Sequence, residues 1–237
     1  MTGRINQKSD SPEYRLKPEE YVLRATDYYY RGEFELAIDA LDKATELEPG
    51  FAEAWYNKGI TFSVMGRIED EIEAYEKAIK ANPRYSEAWN NKASALGRLG
   101  RYSEALLAAD KAIGLNPGFP AAWCNKGAAL SGLGREKKAI EAYDRAIEIQ
   151  GNYLEAWYNK AVSLHNLDKP KGALRAYGMV LELNPDYPEA LYNRAGLLLK
   201  NGESGKAASD LERAIALEPS FREKALTDDD LKTLLSR

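Results

Sequence analysis

The chain has 237 residues, 44% of them hydrophobic and 30% charged, the balance of an ordinary water-soluble protein. Its net charge of −4 argues against nucleic acid as the main partner. One cysteine and one histidine exclude an internal disulfide and a His/Cys metal cluster, and no run approaches the roughly 18 apolar residues of a membrane span.

Met1–Lys17 is polar, with Gly3, Asn6, Ser9, Asp10, Ser11 and Pro12, and reads as a disordered tail. It has no apolar stretch of the kind a signal peptide needs. Together with the lone Cys124 this fits a reducing, cytoplasmic setting.

From Pro18 the chain repeats itself six times without insertion: Pro18–Phe51, Ala52–Tyr85, Ser86–Phe119, Pro120–Tyr153, Leu154–Tyr187 and Pro188–Phe221. Numbering each copy from 1 to 34, position 4 is Tyr21, Trp55, Trp89, Trp123, Trp157 and Leu191. Position 8 is always small: Ala25, Gly59, Ala93, Gly127, Ala161 and Ala195. Position 11 is bulky, from Tyr28 to Leu198. These spacings lie on one face of a helix. Tyr75, Ala78 and Ile79, at positions 24, 27 and 28, do the same on a second helix. Gly66, at position 15, turns the chain between them. Proline at position 32, replaced once by Gly151, ends the second helix.

This order of Trp, small, bulky, Ala, aromatic, Ala and Pro at a 34-residue period resembles the tetratricopeptide repeat over Pro18–Phe221. The resemblance implies an all-α fold, an α-solenoid of six antiparallel helix hairpins wound as a right-handed superhelix. It also implies a non-catalytic scaffold that binds a peptide or partner protein in a concave groove. The alternatives are a structural, self-assembling protein and an accessory domain of an enzyme complex. The first helices of such arrays line the concave side, with positions 2, 5, 6, 9, 12 and 13 pointing into it.

In chain order, each copy then shows its own departures. Repeat 1 has Glu20 and Asp27 where later copies are small or apolar, the polar outer face of a terminal repeat. Its Tyr29 and Tyr30 should face the groove. In repeat 2, Glu71 replaces alanine at position 20, and Gly59 should give its stem a route to water. Ala109 replaces a large residue in repeat 3, which predicts looser packing. Repeat 5 combines Gly151, Pro170, Gly172 and Gly178, and its second helix should be the softest of the inner repeats. Arg222–Arg237 reads as a C-terminal capping helix, with Thr227 as its N-cap and Leu231, Leu234 and Leu235 as its apolar stripe. With such ends the array is expected to be mainly monomeric, self-association remaining open.

Two ladders cross the repeats. Position 6 is Asn57, Asn91, Asn125, Asn159 and Asn193. A carboxamide both donates and accepts, so this ladder suits the backbone of an extended peptide, or else hydrogen bonds between helices. Tyr56, Tyr158 and Tyr192 at position 5 neighbour it and offer aromatic contact area. Position 7 is basic: Lys58, Lys92, Lys126, Lys160 and Arg194, with Arg24 in repeat 1. The stems can lie between repeats with their charges meeting carboxylates such as Glu46 or Glu148, or they form a positive rail for an acidic partner. The carboxylate clamp for chaperone tails is not matched, since positions 5 and 9 lack its lysine and asparagine. No catalytic, metal or cofactor motif is visible, and the single His165 reads as groove-lining or exposed.

Overall fold

The computed structural model describes residues 16–235, and all its regular structure is helical. Six hairpins follow one another: α1 (Pro18–Tyr30) and α2 (Phe34–Leu47), α3 (Ala52–Val64) and α4 (Ile68–Ala81), α5 (Ser86–Arg98) and α6 (Tyr102–Leu115), α7 (Pro120–Gly132) and α8 (Glu136–Ile149), α9 (Leu154–Asn166) and α10 (Pro170–Leu183), α11 (Pro188–Lys200) and α12 (Ser204–Leu217). Two short helices, α13 (Ser220–Thr227) and α14 (Lys232–Leu235), close the described residues. Every first helix begins at position 1 and every second helix at position 17. The chain is thus an α-solenoid of helical hairpins. It divides into two compact units, one ending at Pro83 and holding α1–α4, the other beginning at Arg84 and holding α5–α14. The tail expected over Met1–Lys17 lies almost wholly outside the described residues.

The turn within each hairpin is set by backbone chemistry. The position-16 amide donates to the position-11 carbonyl in all six copies, for instance Arg67 to Phe62 at 2.9 Å and Arg135 to Leu130 at 2.8 Å. That bond needs a left-handed residue at position 15. Glycine supplies it in five copies, with φ between 71° and 84°, and Asp168 supplies it in repeat 5 with φ 53°.

Inside each hairpin the small and large positions interlock. Ala44, Ala78, Ala112, Ala146, Val180 and Ala214 at position 27 are all fully buried, which lets the second helix approach the first closely. At Gly59 an added Cβ would lie 2.4 Å from the ring of Tyr75, and at Gly127 the same distance from Tyr143. The tyrosine therefore fills the space beside Gly59, and Glu71 does not escape through it: Glu71 is only 2% exposed. Ala109 is fully buried as well.

Between successive copies the position-4 tryptophan acts as a staple. Trp55, Trp123 and Trp157 donate their indole N–H to the position-32 carbonyl of the previous repeat, at 3.0, 2.9 and 2.9 Å, on Pro49, Pro117 and Gly151. A carbonyl is all this bond requires, so Gly151 serves as well as proline.

The C-terminal end is covered. Leu191, Tyr192, Leu211 and Ala214 share a buried cluster with Phe221 and Ala225 of α13 and with Leu231, and Leu234 and Leu235 pack against it. The capping residue is Asp228 rather than Thr227. Its carboxylate accepts the amides of Asp230 and Leu231, both at 2.9 Å, while the Thr227 hydroxyl donates back to the Lys224 carbonyl within α13.

Candidate functional site

The asparagine ladder is built by register. In the second unit Nδ2 of Asn125 donates to the side-chain and backbone oxygens of Asn90, at 2.9 and 3.3 Å. Asn159 donates to Sγ of Cys124 at 3.7 Å, and Asn193 to the Tyr158 hydroxyl at 3.3 Å. Each acceptor stands at position 5 of the preceding repeat. The amide ends of these carboxamides are thus pinned between first helices. Their Oδ1 atoms accept no hydrogen bond among the described residues. Asn91 differs, its Oδ1 accepting from Asn90 at 3.1 Å.

This register also shows what position 5 does. Asn90 and Cys124 are buried. Tyr158 is half-buried, packs against Tyr177 and Tyr187 at ring distances of 6.1 and 5.1 Å, and accepts from Asn193. Burial, with the Glu189 charge nearby, raises its pKa above the usual phenol range. Tyr56 packs against Tyr75 at 5.9 Å. Tyr192 is 6% exposed, its ring 4.9 Å from Phe221 and covered by the ammonium of Lys224. Of the expected aromatic flank, Tyr192 is corrected, since it lies beneath the cap, while Tyr56 and Tyr158 pack partly against neighbouring tyrosines and stay partly exposed.

In the first unit the ladder behaves differently. Position 5 of repeat 1 is Val22, a buried residue with no polar side chain to offer. Asn57 makes no side-chain hydrogen bond among the described residues. It lines a cavity of about 290 Å³ with Thr26, Tyr29, Tyr30 and Ile60. Tyr29 and Tyr30 thus stand with Asn57 on the first-helix face, and Tyr30 is 82% exposed. Thr26 and Ile60, both at position 9, were not singled out by sequence. The apolar Val22 before the asparagine was the readable sign of an unengaged carboxamide.

Four members of the basic ladder are paired with carboxylates within the fold. Lys58 pairs with Asp42, Lys126 with Asp110 at 2.8 Å and Lys160 with Asp144 at 2.5 Å. All three aspartates occupy position 25 of the previous copy, so they replace the expected partners. Glu46 pairs instead with Lys43, and Glu148 with Arg145, one turn away on their own helices. The lysines also sit over the position-4 indole of their own helix, at 5.2 Å for Lys58, 5.8 Å for Lys92, 5.3 Å for Lys126 and 5.1 Å for Lys160. Repeat 5 has Gly178 at position 25. Arg194 accordingly turns to Asp210 of its own hairpin, a buried carboxylate held by two bonds of 2.7 and 2.8 Å. At these four positions a carboxylate of the fold meets the charge that a positive rail would offer.

The remaining chemistry-bearing groups are isolated. Cys124 is buried, and burial raises its pKa well above the usual thiol range, so it is a poor nucleophile. His165 is exposed, and its pKa is lowered from 6.5, first by partial desolvation and then by the Lys200 charge. Among the described residues no group of three His, Cys, Asp or Glu side chains is placed to hold a metal ion, and no helix is long and apolar enough to cross a membrane.

Comparison with known proteins places these features in a family. Tetratricopeptide repeat models match residues 22–86 and 59–120, then 120–153 and 154–187, and a further one residues 176–208. A 51-residue stretch, 22% of this chain, is 50% identical to the uncharacterized protein MJ0572 of Methanocaldococcus jannaschii and spans 59% of that protein's length. Similar solved structures include PilF of Pseudomonas aeruginosa, at 21% identity over 89% of this chain and 97% of that one, with a TM-score of 0.76. PilW, described as a widely conserved type IV pilus biogenesis factor, shares 19% identity over 92% and 98% of the two chains, with a TM-score of 0.78. YrrB, described as having an unusual peptide-binding site, shares 24% identity over 77% and 94%, with a TM-score of 0.59. At these identities the likeness is one of fold.

Proposed function

Because the chain belongs to the tetratricopeptide repeat family, we propose that it is a non-catalytic scaffold that takes an extended peptide or partner segment on the face formed by its first helices. The observation that carries this reading is the row of Oδ1 atoms on Asn125, Asn159 and Asn193. Their amide ends are fixed by the preceding repeat, so the oxygens are held in place as acceptors before any ligand arrives, which lowers the ordering cost of binding. Backbone N–H groups of a strand-like segment are the donors such a row suits, whatever the ligand's sequence. The unusual peptide-binding site described for YrrB agrees with this use of the fold. A setting in the cytoplasm and a monomeric state are parts of the same proposal.

The test selects peptides from a random display library on the full chain and measures their affinity for two variants. Ala128→Arg puts bulk on the exposed position 9 of α7, beside the asparagine row. Leu107→Arg puts the same bulk on α6, where the side chain is 67% exposed. Peptides bound as proposed lose at least about tenfold in affinity with Ala128→Arg and little with Leu107→Arg. Binding that survives Ala128→Arg but fails with Leu107→Arg would move the site to the second helices and overturn the reading.

A further inference from the structure

The first unit departs from the second at one rung of the asparagine ladder. Asn57 is the ladder member whose carboxamide the register leaves unengaged, because Val22 stands where Asn90, Cys124 and Tyr158 serve the later copies. It lines the cavity of about 290 Å³ whose other walls include Leu41, Ile60, Tyr29 and Tyr30. The Thr26 and Thr61 hydroxyls there already donate to the Val22 and Asn57 carbonyls at 2.9 and 2.8 Å, so the polar capacity left to a ligand is the Asn57 carboxamide and the phenol groups of Tyr29 and Tyr30. No lining side chain is charged. The volume is at the lower edge of the roughly 300–1,000 Å³ of whole-ligand sites, the size for one bulky side chain. Leu23 and Tyr30, spaced i and i+7 on α1, are 70% and 82% exposed, so the cavity adjoins an apolar strip open to solvent.

We propose that this cavity is an anchor site that takes one bulky neutral side chain, aromatic or long aliphatic, from an extended partner segment, while Asn57 hydrogen-bonds the segment's backbone beside it. The proposal rests on the scaffold reading above and adds the specificity that the asparagine row lacks. A charged ligand side chain would lose water here and find no counter-charge, which selects against Lys, Arg, Asp and Glu. Tyrosines with polar tips and apolar bodies are the residues that dominate such anchors.

The experiment is NMR titration of the isotope-labelled full chain with blocked glycine pentapeptides carrying tryptophan, leucine, glutamate or lysine at the centre. The tryptophan and leucine peptides shift the Asn57 side-chain amide and the Ile60 methyls saturably, and the charged peptides bind at least about tenfold more weakly. Asn57→Ala weakens the tryptophan peptide about three- to tenfold, the effect of one hydrogen bond. Tyr30→Ala does so as well, and its exposed side chain makes a folding defect avoidable; Leu107→Ala changes nothing. Equal binding of charged and neutral peptides, no saturable shift at Asn57 and Ile60, or indifference to both variants overturns the anchor site. The library-selected peptides separate the two claims. If they respond to Ala128→Arg but leave the Asn57 and Ile60 signals unmoved, the anchor is wrong and the scaffold stands. If they ignore Ala128→Arg as well, both fall.

Discussion

The contact of Gly127 with Tyr143 makes the sign of one substitution depend on another. A Cβ added at Gly127 would lie 2.4 Å from Cε1 and 2.6 Å from Cδ1 of the Tyr143 ring, and that ring is only 2% exposed. Gly127→Ala gains about 1 kcal/mol of helix propensity in α7. Overpacking a closed site costs about 1–3 kcal/mol. The sum runs from neutral to about 2 kcal/mol of destabilisation. Tyr143→Leu removes the ring and recreates the alanine–leucine pairing of Ala25 with Leu41 and Ala195 with Leu211. In that background Gly127→Ala should stabilise by about 1 kcal/mol, the propensity term alone. The coupling in the double-mutant cycle is then about 1–3 kcal/mol. Urea unfolding of the four proteins, followed by circular dichroism, reads it directly. The thermal midpoint should move about 2–4 °C per kcal/mol for a chain of this size. Stabilisation by Gly127→Ala in both backgrounds would refute the reasoning. It would mean that Tyr143 can be accommodated beside an alanine, as the fully buried Tyr177 is in the repeat that carries Ala161.

Asp168→Gly relieves a left-handed aspartate at φ 53° and should stabilise the chain by about 0.5 kcal/mol, strain relief less the added unfolded-state entropy; a lower thermal midpoint would contradict this. Gly134→Ala is its converse: an added Cβ meets no atom within 4 Å, so its cost of roughly 1 kcal/mol comes from φ 71° alone. By NMR, His165 should titrate below 6.5, and Lys200→Ala should raise the midpoint partway. Since the folded state then binds that proton less readily than the unfolded chain, its contribution is complete above 6.5 and declines as pH falls toward the lower folded value. A midpoint at or above 6.5 would show the ring to be fully solvated. Ending the chain after Pro219 uncovers Leu191, Tyr192 and Leu211, and sedimentation should show association absent from the full chain; an unchanged monomer would mean α13 and α14 are dispensable.

The hairpins were legible because period, small residues and turn residues all point to one geometry. Tertiary partners were harder. Glu71 read as exposed because alanine at the same position elsewhere marks only a close approach, and Gly59 beside it looked like a vacancy. Nothing local says that Tyr75 takes that vacancy. The lysine ladder read correctly as lying between repeats, but its partners were sought one turn too far along. A side chain at position 7 meets position 25 of the previous copy, where Asp42, Asp110 and Asp144 stand. The acidic run at that position was visible, and only the helix-to-helix register was lacking. Tyr192 read as a groove residue because its equivalents Tyr56 and Tyr158 lie on an inner repeat, whereas α13 covers it.

That register explains why binding chemistry concentrates where repetition stops. In a tandem array each copy completes the one before it: an asparagine at position 6 is engaged when position 5 of its predecessor is polar, and a lysine at position 7 when position 25 is acidic. A residue is released from its predecessor altogether, rather than at one end of its polar group, only where the predecessor departs from the pattern. Gly178 is one such departure, and the fold answers it by turning Arg194 onto Asp210. Val22 is another, and Asn57 makes no substitute bond among the described residues. The two differ in reach. A long guanidinium finds another carboxylate within its own hairpin, while a short carboxamide cannot. A short polar side chain facing an open cavity is thus the ladder position at which a ligand gains most, because there it replaces water without breaking a protein hydrogen bond. By this reasoning, Val22→Asn should engage Asn57 as Asn90 engages Asn125. It should weaken the anchor-site peptide about as much as Asn57→Ala does, while leaving every residue of the cavity wall in place. Undiminished binding in Val22→Asn, with the new Asn57 bond visible in its amide shift, would show that the carboxamide's freedom is not what the site uses.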